Sequence, residues 1–272
     1  VAGERVGGGI YDRFRGRVTF PIRDERGNII GFGARALGDT HPKYLNSPET
    51  EIFEKGSCLY GIDIARAAIR ERGQVVVVEG YVDVLIAHQH DIKNVVASLG
   101  TALTERQVAI LKRLTRNVVL ALDPDPAGVE AARRGLDVAR QVYAEVTPVP
   151  TWRGLVRYEQ KLGANLRVAT LPTGRDPDEI IRESAAEWER IIAAARPLVE
   201  YYLEVTLAQA DLDSAKGKSA AAQQVLPVIG ELRDPVQQAH YLGRLSQALG
   251  IREEVLASSL RRAPFVRKTE RP

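Results

Sequence analysis

The run Val75-Val76-Val77-Val78-Glu79-Gly80-Tyr81-Val82-Asp83 sets four β-branched residues before an acid, a glycine and the start of a helical pattern. A short apolar run that stops in this way reads as a buried strand passing straight into a helix. The same rhythm extends outward. Strands over 75–79, 94–98, 118–123 and 166–171 alternate with helical patterns near 82–90, 104–115, 126–142 and 177–194. Such alternation predicts βαβ units on a parallel sheet, hence an α/β fold.

Carboxylates follow three of these strands. Glu79 ends the first, Asp123 and Asp125 follow 118–122, and Asp176 and Asp178 come shortly after 166–171. Ligands of open parallel sheets bind outside the carboxyl ends of the strands. Five acids gathered there would repel one another unless cations lay among them. Hard oxygen donors suit Mg²⁺ or Mn²⁺, which keep several waters and share their shell with substrate phosphates. The pattern points to metal-assisted phosphate chemistry.

Each acidic site also has an ordinary reading. In Asp176-Pro177-Asp178-Glu179, Asp176 serves as a helix cap, Pro177 as the first helical residue and the acids as first-turn residues. Glu79-Gly80-Tyr81-Val82-Asp83 reads equally as a strand exit with a cap, and Asp123-Pro124-Asp125 as a cap before a helix over 129–140. Against this, Asp123 and Asp125 are two apart on an extended segment and so face the same way, toward one metal or a metal pair. Three acidic exits within one α/β unit are harder to explain as independent caps than as one site.

Residues 1 to about 70 read as a mixed β/α unit. Arg17-Val18-Thr19-Phe20-Pro21-Ile22 alternates, Asp24-Glu25-Arg26-Gly27-Asn28 turns, and Ile29-Ile30-Gly31-Phe32-Gly33-Ala34 returns, which predicts a hairpin. On the return strand Gly31 and Gly33 share a face without side chains. That face admits another backbone or a flat ligand, or else marks a bulge or tight packing. Arg35, Lys43 and Lys55 lie in or beside the loop over 41–50, where basic groups either contact triphosphate or nucleic-acid backbone or are simply solvated.

Two motifs carry less than they promise. His88-x-His90 reads as a polar helix face rather than a metal pair. Ala215-Lys216-Gly217-Lys218-Ser219 has Leu212 where a phosphate loop needs its first glycine, and it follows no strand.

Composition bounds the rest. The chain has 272 residues, 44% hydrophobic, with net charge +3 and a pI of about 9.0. That is room for two or three structural units and a mildly basic surface compatible with a polyanion. Cys58 alone excludes a disulfide framework and a multi-Cys zinc site, and fits a reducing compartment. No run approaches the roughly 20 apolar residues of a membrane span, so a cytoplasmic setting is expected. A chain that begins at Val1 and lacks methionine is expected to be a piece of something longer, with domains missing at either end. The stretch 144–164, with Pro148, Pro150, Trp152 and Gly154, predicts a surface excursion. Beyond about 185 the pattern is helical, with turns near Gly217, Asp234-Pro235 and Gly250, and ends in a basic frayed tail.

Taken in order, several segments resemble motifs of the RNA-polymerase core of bacterial DnaG-type primases, over nearly the whole length. They are Tyr11-Asp12-Arg13-Phe14-Arg15-Gly16-Arg17, Pro42-Lys43-Tyr44-Leu45-Asn46-Ser47-Pro48-Glu49-Thr50, Lys55-Gly56 followed by Leu59-Tyr60-Gly61, and Glu79-Gly80-Tyr81-Val82-Asp83-Val84. Ala97-Ser98-Leu99-Gly100-Thr101-Ala102-Leu103-Thr104 and Asp176-Pro177-Asp178-Glu179 complete the set. The resemblance implies a toprim-type parallel sheet over 71–185, flanked by an N-terminal mixed α/β subdomain over 1–70 and a C-terminal helical subdomain over 186–262, with a basic tail over 263–272.

By position, the resemblance makes Glu79, Asp123, Asp125, Asp176 and Asp178 the toprim acids, with Asp83 supporting them. It makes Lys43 and Lys55 functional lysines and Arg35 a groove arginine, with Tyr44 and Asn46 beside them for nucleotide or nucleic acid. Glu79 is implied as metal ligand or general base. The family usually has Asp-Gly-Asp where this chain has Asp123-Pro124-Asp125, and commonly methionine where it has Thr19 and Val82. The implied activity is DNA-directed RNA polymerisation: short RNA primers made from ribonucleoside triphosphates on single-stranded DNA, with Mg²⁺ or Mn²⁺ and no zinc in this fragment. The replicative helicase is expected to bind through a C-terminal domain outside this chain, and no membrane is expected as a partner. The rival readings are another toprim enzyme, a topoisomerase or nuclease, and a non-catalytic module binding single-stranded nucleic acid.

Overall fold

The structure, a computed structural model, describes residues 2–4, 7–99, 103–122, 134–135, 137–139, 141–150, 156–232 and 234–262. Contacts divide the chain into two units, one of Val1–Val142 with Ala164–Ala195 and one of Tyr143–Gly163 with Arg196–Pro272.

The first unit opens with an antiparallel pair, β1 (Ala2–Glu4) and β2 (Ile10–Asp12). An antiparallel sheet follows, ordered β3 (Arg17–Arg23), β4 (Ile29–Ala36) and β5 (Tyr44–Asn46). The β3–β4 turn closes because Asp24 Oδ1 accepts from the backbone N–H groups of Arg26 and Asn28, at 2.8 and 2.9 Å. Gly27 there adopts a φ of 88°, which a side chain would resist. This is the hairpin that the sequence predicts.

Next come α1 (Ile62–Arg72), β6 (Val75–Val78), α2 (Tyr81–Gln89), β7 (Val95–Ala97), α3 (Glu105–Lys112) and β8 (Asn117–Leu122). The following stretch belongs to the second unit and pairs β9 (Ala144–Pro150) antiparallel with β10 (Val156–Leu162). The stretch expected to be an excursion thus contains a two-stranded ribbon, whose prolines hide the strand pattern in the sequence. The first unit resumes with β11 (Asn165–Thr170), α4 (Pro177–Glu183) and α5 (Ala185–Ala193).

Strands β11, β8, β6 and β7 lie parallel in that order. All four valines of β6 are buried, as a strand covered on both faces requires. The carboxyl ends of β6, β8 and β11 therefore share one edge of the sheet, the edge from which the acids were expected to project.

The helix expected over 177–194 breaks at Ser184. Its backbone is extended (φ −159°, ψ 106°) and its Oγ accepts from the Glu187 N–H at 3.1 Å, capping α5. Trp188 and Ile192 on α5 join the same core as Phe20, Phe53, Tyr81 and Val76. His88 also departs from expectation. Rather than facing water it is half-buried, with Nε2 2.9 Å from the Val95 carbonyl, and burial lowers its pKa.

The bare face of β4 is the joint between the two sheets. Phe53 packs over Gly31, and the Tyr81 ring lies against Gly33 so closely that an added Cβ would stand 2.3 Å from Cζ. The flat partner allowed by the sequence is thus a side chain of the chain itself. Phe20 stacks on Tyr81 with centroids 5.0 Å apart and planes 8° apart, and Tyr60 meets it edge-on at 4.7 Å. With its neighbours fixed in this way the ring has nowhere to retreat. Gly33→Ala is therefore expected to destabilise the chain by about 1–3 kcal/mol, read as a lower urea midpoint. Gly31→Ala, whose Cβ would meet Phe53 at 3.0 Å, should cost less. Equal midpoints for Gly33→Ala and the parent would refute this packing.

The second unit adds α6 (Leu198–Gln209), α7 (Ala215–Gly230), α8 (Pro235–Leu249) and α9 (Glu253–Arg262). Ser214 caps α7 by accepting from the Gly217 N–H at 3.0 Å, so Gly217 sits in the first helical turn rather than in a loop. An Ala there would meet the Asp211 carbonyl at 2.0 Å, which is why the position is glycine. Asp234 caps α8 with Pro235 at its first position, and Gly250 ends it at φ 63°. Leu203, Val225, Ile229, Leu245 and Leu249 are buried along these helices. The tail over 263–272 lies outside the described residues. Among the described residues no helix is long and apolar enough to cross a membrane.

Candidate active site

A cleft of about 590 Å³ opens in the first unit, where the acidic edge of the parallel sheet meets the antiparallel sheet. Nine of the eleven residues singled out by the sequence line it: Arg35, Lys43, Tyr44, Asn46, Lys55, Glu79, Asp83, Asp176 and Asp178. The other two, Asp123 and Asp125, lie outside the described residues, just past the end of β8 at Leu122.

The basic wall is built by strand register. Arg35 on β4 is paired with Tyr44 on β5, and its guanidinium lies 5.6 Å from the centre of that ring. Asn46 is paired with Gly33. Lys43 stands just before β5, its carbonyl accepting from the Ala36 N–H at 2.9 Å. Lys55 begins a 3₁₀ turn over Lys55–Ser57.

The acidic wall is built by strand exits. Glu79 follows β6 directly, Asp83 stands in the first turn of α2, and Asp176 and Asp178 stand at the start of α4. Here the capping reading can be weighed. Asp83 does cap: its Oδ2 accepts from the Gly80 N–H at 3.0 Å. Asp176, although at the cap position before Pro177, makes no side-chain capping hydrogen bond, so only the helix dipole favours it there. Asp178 pairs with Arg182 at 3.0 Å across one helical turn.

Asp83 is perturbed by its burial and by its neighbours. Asp83 is only 9% exposed, and burial pushes its carboxyl up to about 7. The Gly80 and Asp178 N–H groups pull it down, while the charges of Asp178 and Asp176 push it further up. A buried carboxyl held near neutrality beside two more acids is a place that favours added positive charge. Among the described residues no group of three His, Cys, Asp or Glu is arranged to hold a metal ion. The donor set still fits a hard cation: five carboxylates, Glu79, Asp83, Asp176, Asp178 and Glu179, line one cleft, and two further candidate acids follow β8 in the chain. Leu99 also lines the cleft, at a φ of 65° that a branched side chain rarely takes.

Arg182 and Tyr81 are among the lining residues that the sequence does not single out. Arg182 was findable, four residues after Asp178 on one helix face. Tyr81 was not, because its place depends on a glycine from a different sheet.

An acidic sheet edge facing a basic strand and loop defines a toprim-type α/β core with an added N-terminal sheet. Comparisons narrow that class. Residues 1–66 match the family model of the DNA primase catalytic core, N-terminal domain, residues 73–149 the Toprim domain, and residues 199–254 the DnaB-helicase binding domain of primase. A DNA primase of Clostridium acetobutylicum is 38% identical over 248 residues, 91% of this chain and 38% of that protein. A solved DNA primase domain from Pseudomonas aeruginosa is 37% identical with a TM-score of 0.76, covering 96% of this chain and 77% of that one. A DnaG primase catalytic domain bound to ssDNA is 39% identical with a TM-score of 0.73, covering 92% and 74%. The chain belongs to the DnaG-type DNA primase family and corresponds to its catalytic core. It spans about two fifths of the length of the curated relatives it matches. The sequence places the helicase-binding domain outside this chain, whereas residues 199–254 match the model of such a domain.

Proposed function

We propose that this chain is the RNA-polymerising core of a primase, making short RNA primers on single-stranded DNA from ribonucleoside triphosphates in the cytoplasm. One observation carries the reading: Glu79, Asp83, Asp176 and Asp178 share a cleft with Arg35, Lys43 and Lys55. Acids and bases facing one another across a cleft suit a substrate that brings both metal and phosphate. Glu79, Asp123, Asp125, Asp176 and Asp178 would hold Mg²⁺ or Mn²⁺, which would supply neutralisation of phosphate charge and a lower pKa for the attacking 3′-hydroxyl. Lys43 and Lys55 bind the triphosphate, and Arg35, braced on Tyr44, binds the nucleic-acid backbone. Asp83 holds the Glu79–Tyr81 turn through Gly80. The functional parts are 1–70, 71–185 and 186–262 with the tail 263–272, and residues 199–254 supply a contact for the replicative helicase.

The test is to incubate the chain with single-stranded DNA, ribonucleotides and Mg²⁺ or Mn²⁺. New RNA upholds the proposal. Altered DNA without RNA assigns the site to a nuclease or topoisomerase, and salt-sensitive binding without chemistry assigns it to a binding module.

Lys43→Ala tests the basic wall. Losing a charge-assisted contact to triphosphate is expected to raise the nucleotide KM about 10- to 100-fold, with Mn²⁺ binding unchanged. An unaltered dependence on nucleotide concentration would remove Lys43 from the site.

A further inference from the structure

The Tyr81 hydroxyl donates to Asn46 Oδ1 at 2.7 Å, and both residues line the cleft. The contact follows from register. Gly33 is paired with Phe20 on one side and Asn46 on the other. A ring lying on Gly33 therefore spans the strand, stacked on Phe20 and reaching Asn46 with its hydroxyl. Tyr60 closes the edge at 4.7 Å. Because the ring is caged, the hydroxyl is held in place at little further entropic cost. Burial raises the phenol pKa, so it remains a donor throughout the neutral range.

A carboxamide has one acceptor oxygen and one donor NH₂. With Oδ1 engaged by Tyr81, what the Asn46 carboxamide has left for a ligand of the cleft it lines is its donor end, Nδ2. A group presented as a donor beside Lys43 and Arg35 recognises an acceptor, and the acceptors richest in negative charge are phosphate oxygens.

We propose that Tyr81 is a positioning residue: through its hydroxyl it locks the Asn46 carboxamide with the NH₂ toward the cleft, where it donates to a triphosphate oxygen of the incoming nucleotide. This rests on the nucleotide-binding reading of the cleft. Tyr81→Phe keeps the ring and its cage and deletes only the hydroxyl. The amide then loses its anchor and turns freely, and the nucleotide is held less well in ground and transition states alike.

The test is a double-mutant cycle on the 272-residue chain, with equilibrium binding of a non-hydrolysable ribonucleoside triphosphate in Mn²⁺ alongside primer-synthesis kinetics. Tyr81→Phe is expected to weaken binding and raise KM about 5- to 10-fold with kcat unchanged, its melting temperature staying near that of the parent. Asn46→Ala should weaken binding at least as much, and Tyr81→Phe should add nothing in that background. Asn46→Asp, which accepts from Tyr81 but turns a negative oxygen toward the phosphates, should bind worse than Asn46→Ala. Parent-like binding by Tyr81→Phe, or a full effect of Tyr81→Phe in the Asn46→Ala background, overturns the positioning role. If the folded parent itself binds no triphosphate, the reading of the cleft falls first, which is a separate outcome.

Discussion

Glu79→Gln is expected to lower RNA synthesis by on the order of 10³-fold while leaving the fold intact. Glu79 follows the buried valines of β6 and its side chain is exposed on the cleft, so an isosteric amide removes charge without opening a cavity. On the proposed reading, what is lost is one formal charge from the set of acids that would hold a hard cation, for which a neutral amide oxygen is a much poorer ligand. Asp123→Asn is expected to behave in the same way, on the strength of its place after β8 in the chain. The check is primer yield over a Mg²⁺ or Mn²⁺ titration, with thermal melts in chelator beside it. Parent-like synthesis by Glu79→Gln would reduce that residue to a strand-exit acid and take the metal reading with it.

What could be read beforehand was whatever sequence neighbours decide. The Val75-Val76-Val77-Val78 run, the hairpin turn at Asp24 and the acids after three of the strands are local patterns, and parallel pairing puts the carboxyl ends of those strands on one edge without further instruction. Interactions between distant segments were not legible. Gly31 and Gly33 announced a close approach, but only the folded chain identifies the visitors as Phe53 and Tyr81. The break at Ser184 hides in a continuous helical pattern, because a serine is unremarkable until its neighbour's N–H needs an acceptor. His88 looks polar on a helical projection, yet β7 brings the Val95 carbonyl to its ring. Asp83 belongs to both groups. Its capping role was readable from spacing, whereas its burial beside Asp176 and Asp178 depends on α4 returning from the far end of the unit.

That burial sets the second large effect. In the absence of metal the Asp83 carboxyl is raised from 3.8 to about 7, chiefly by desolvation. A folded-state pKa above the unfolded one means that the native chain binds this proton more tightly. The group's stabilising contribution is full below about 3.8 and disappears as pH rises through about 7. Asn at this position keeps an acceptor for the Gly80 N–H but does not titrate. Unfolding free energies of the parent and Asp83→Asn, measured in chelator, should therefore diverge between pH 4 and pH 8. The parent loses on the order of 4 kcal/mol relative to the variant across that window. Taking the difference between the two proteins cancels the other titrating groups. Saturating Mg²⁺ or Mn²⁺ at pH 8 should return much of the loss, because a cation bound only by the native state stabilises it by mass action and relieves the repulsion among the acids. A difference that stays constant from pH 4 to pH 8 would mean that Asp83 is ionised at no cost. Neither burial nor the charges of Asp178 and Asp176 would then hold the proton on Asp83.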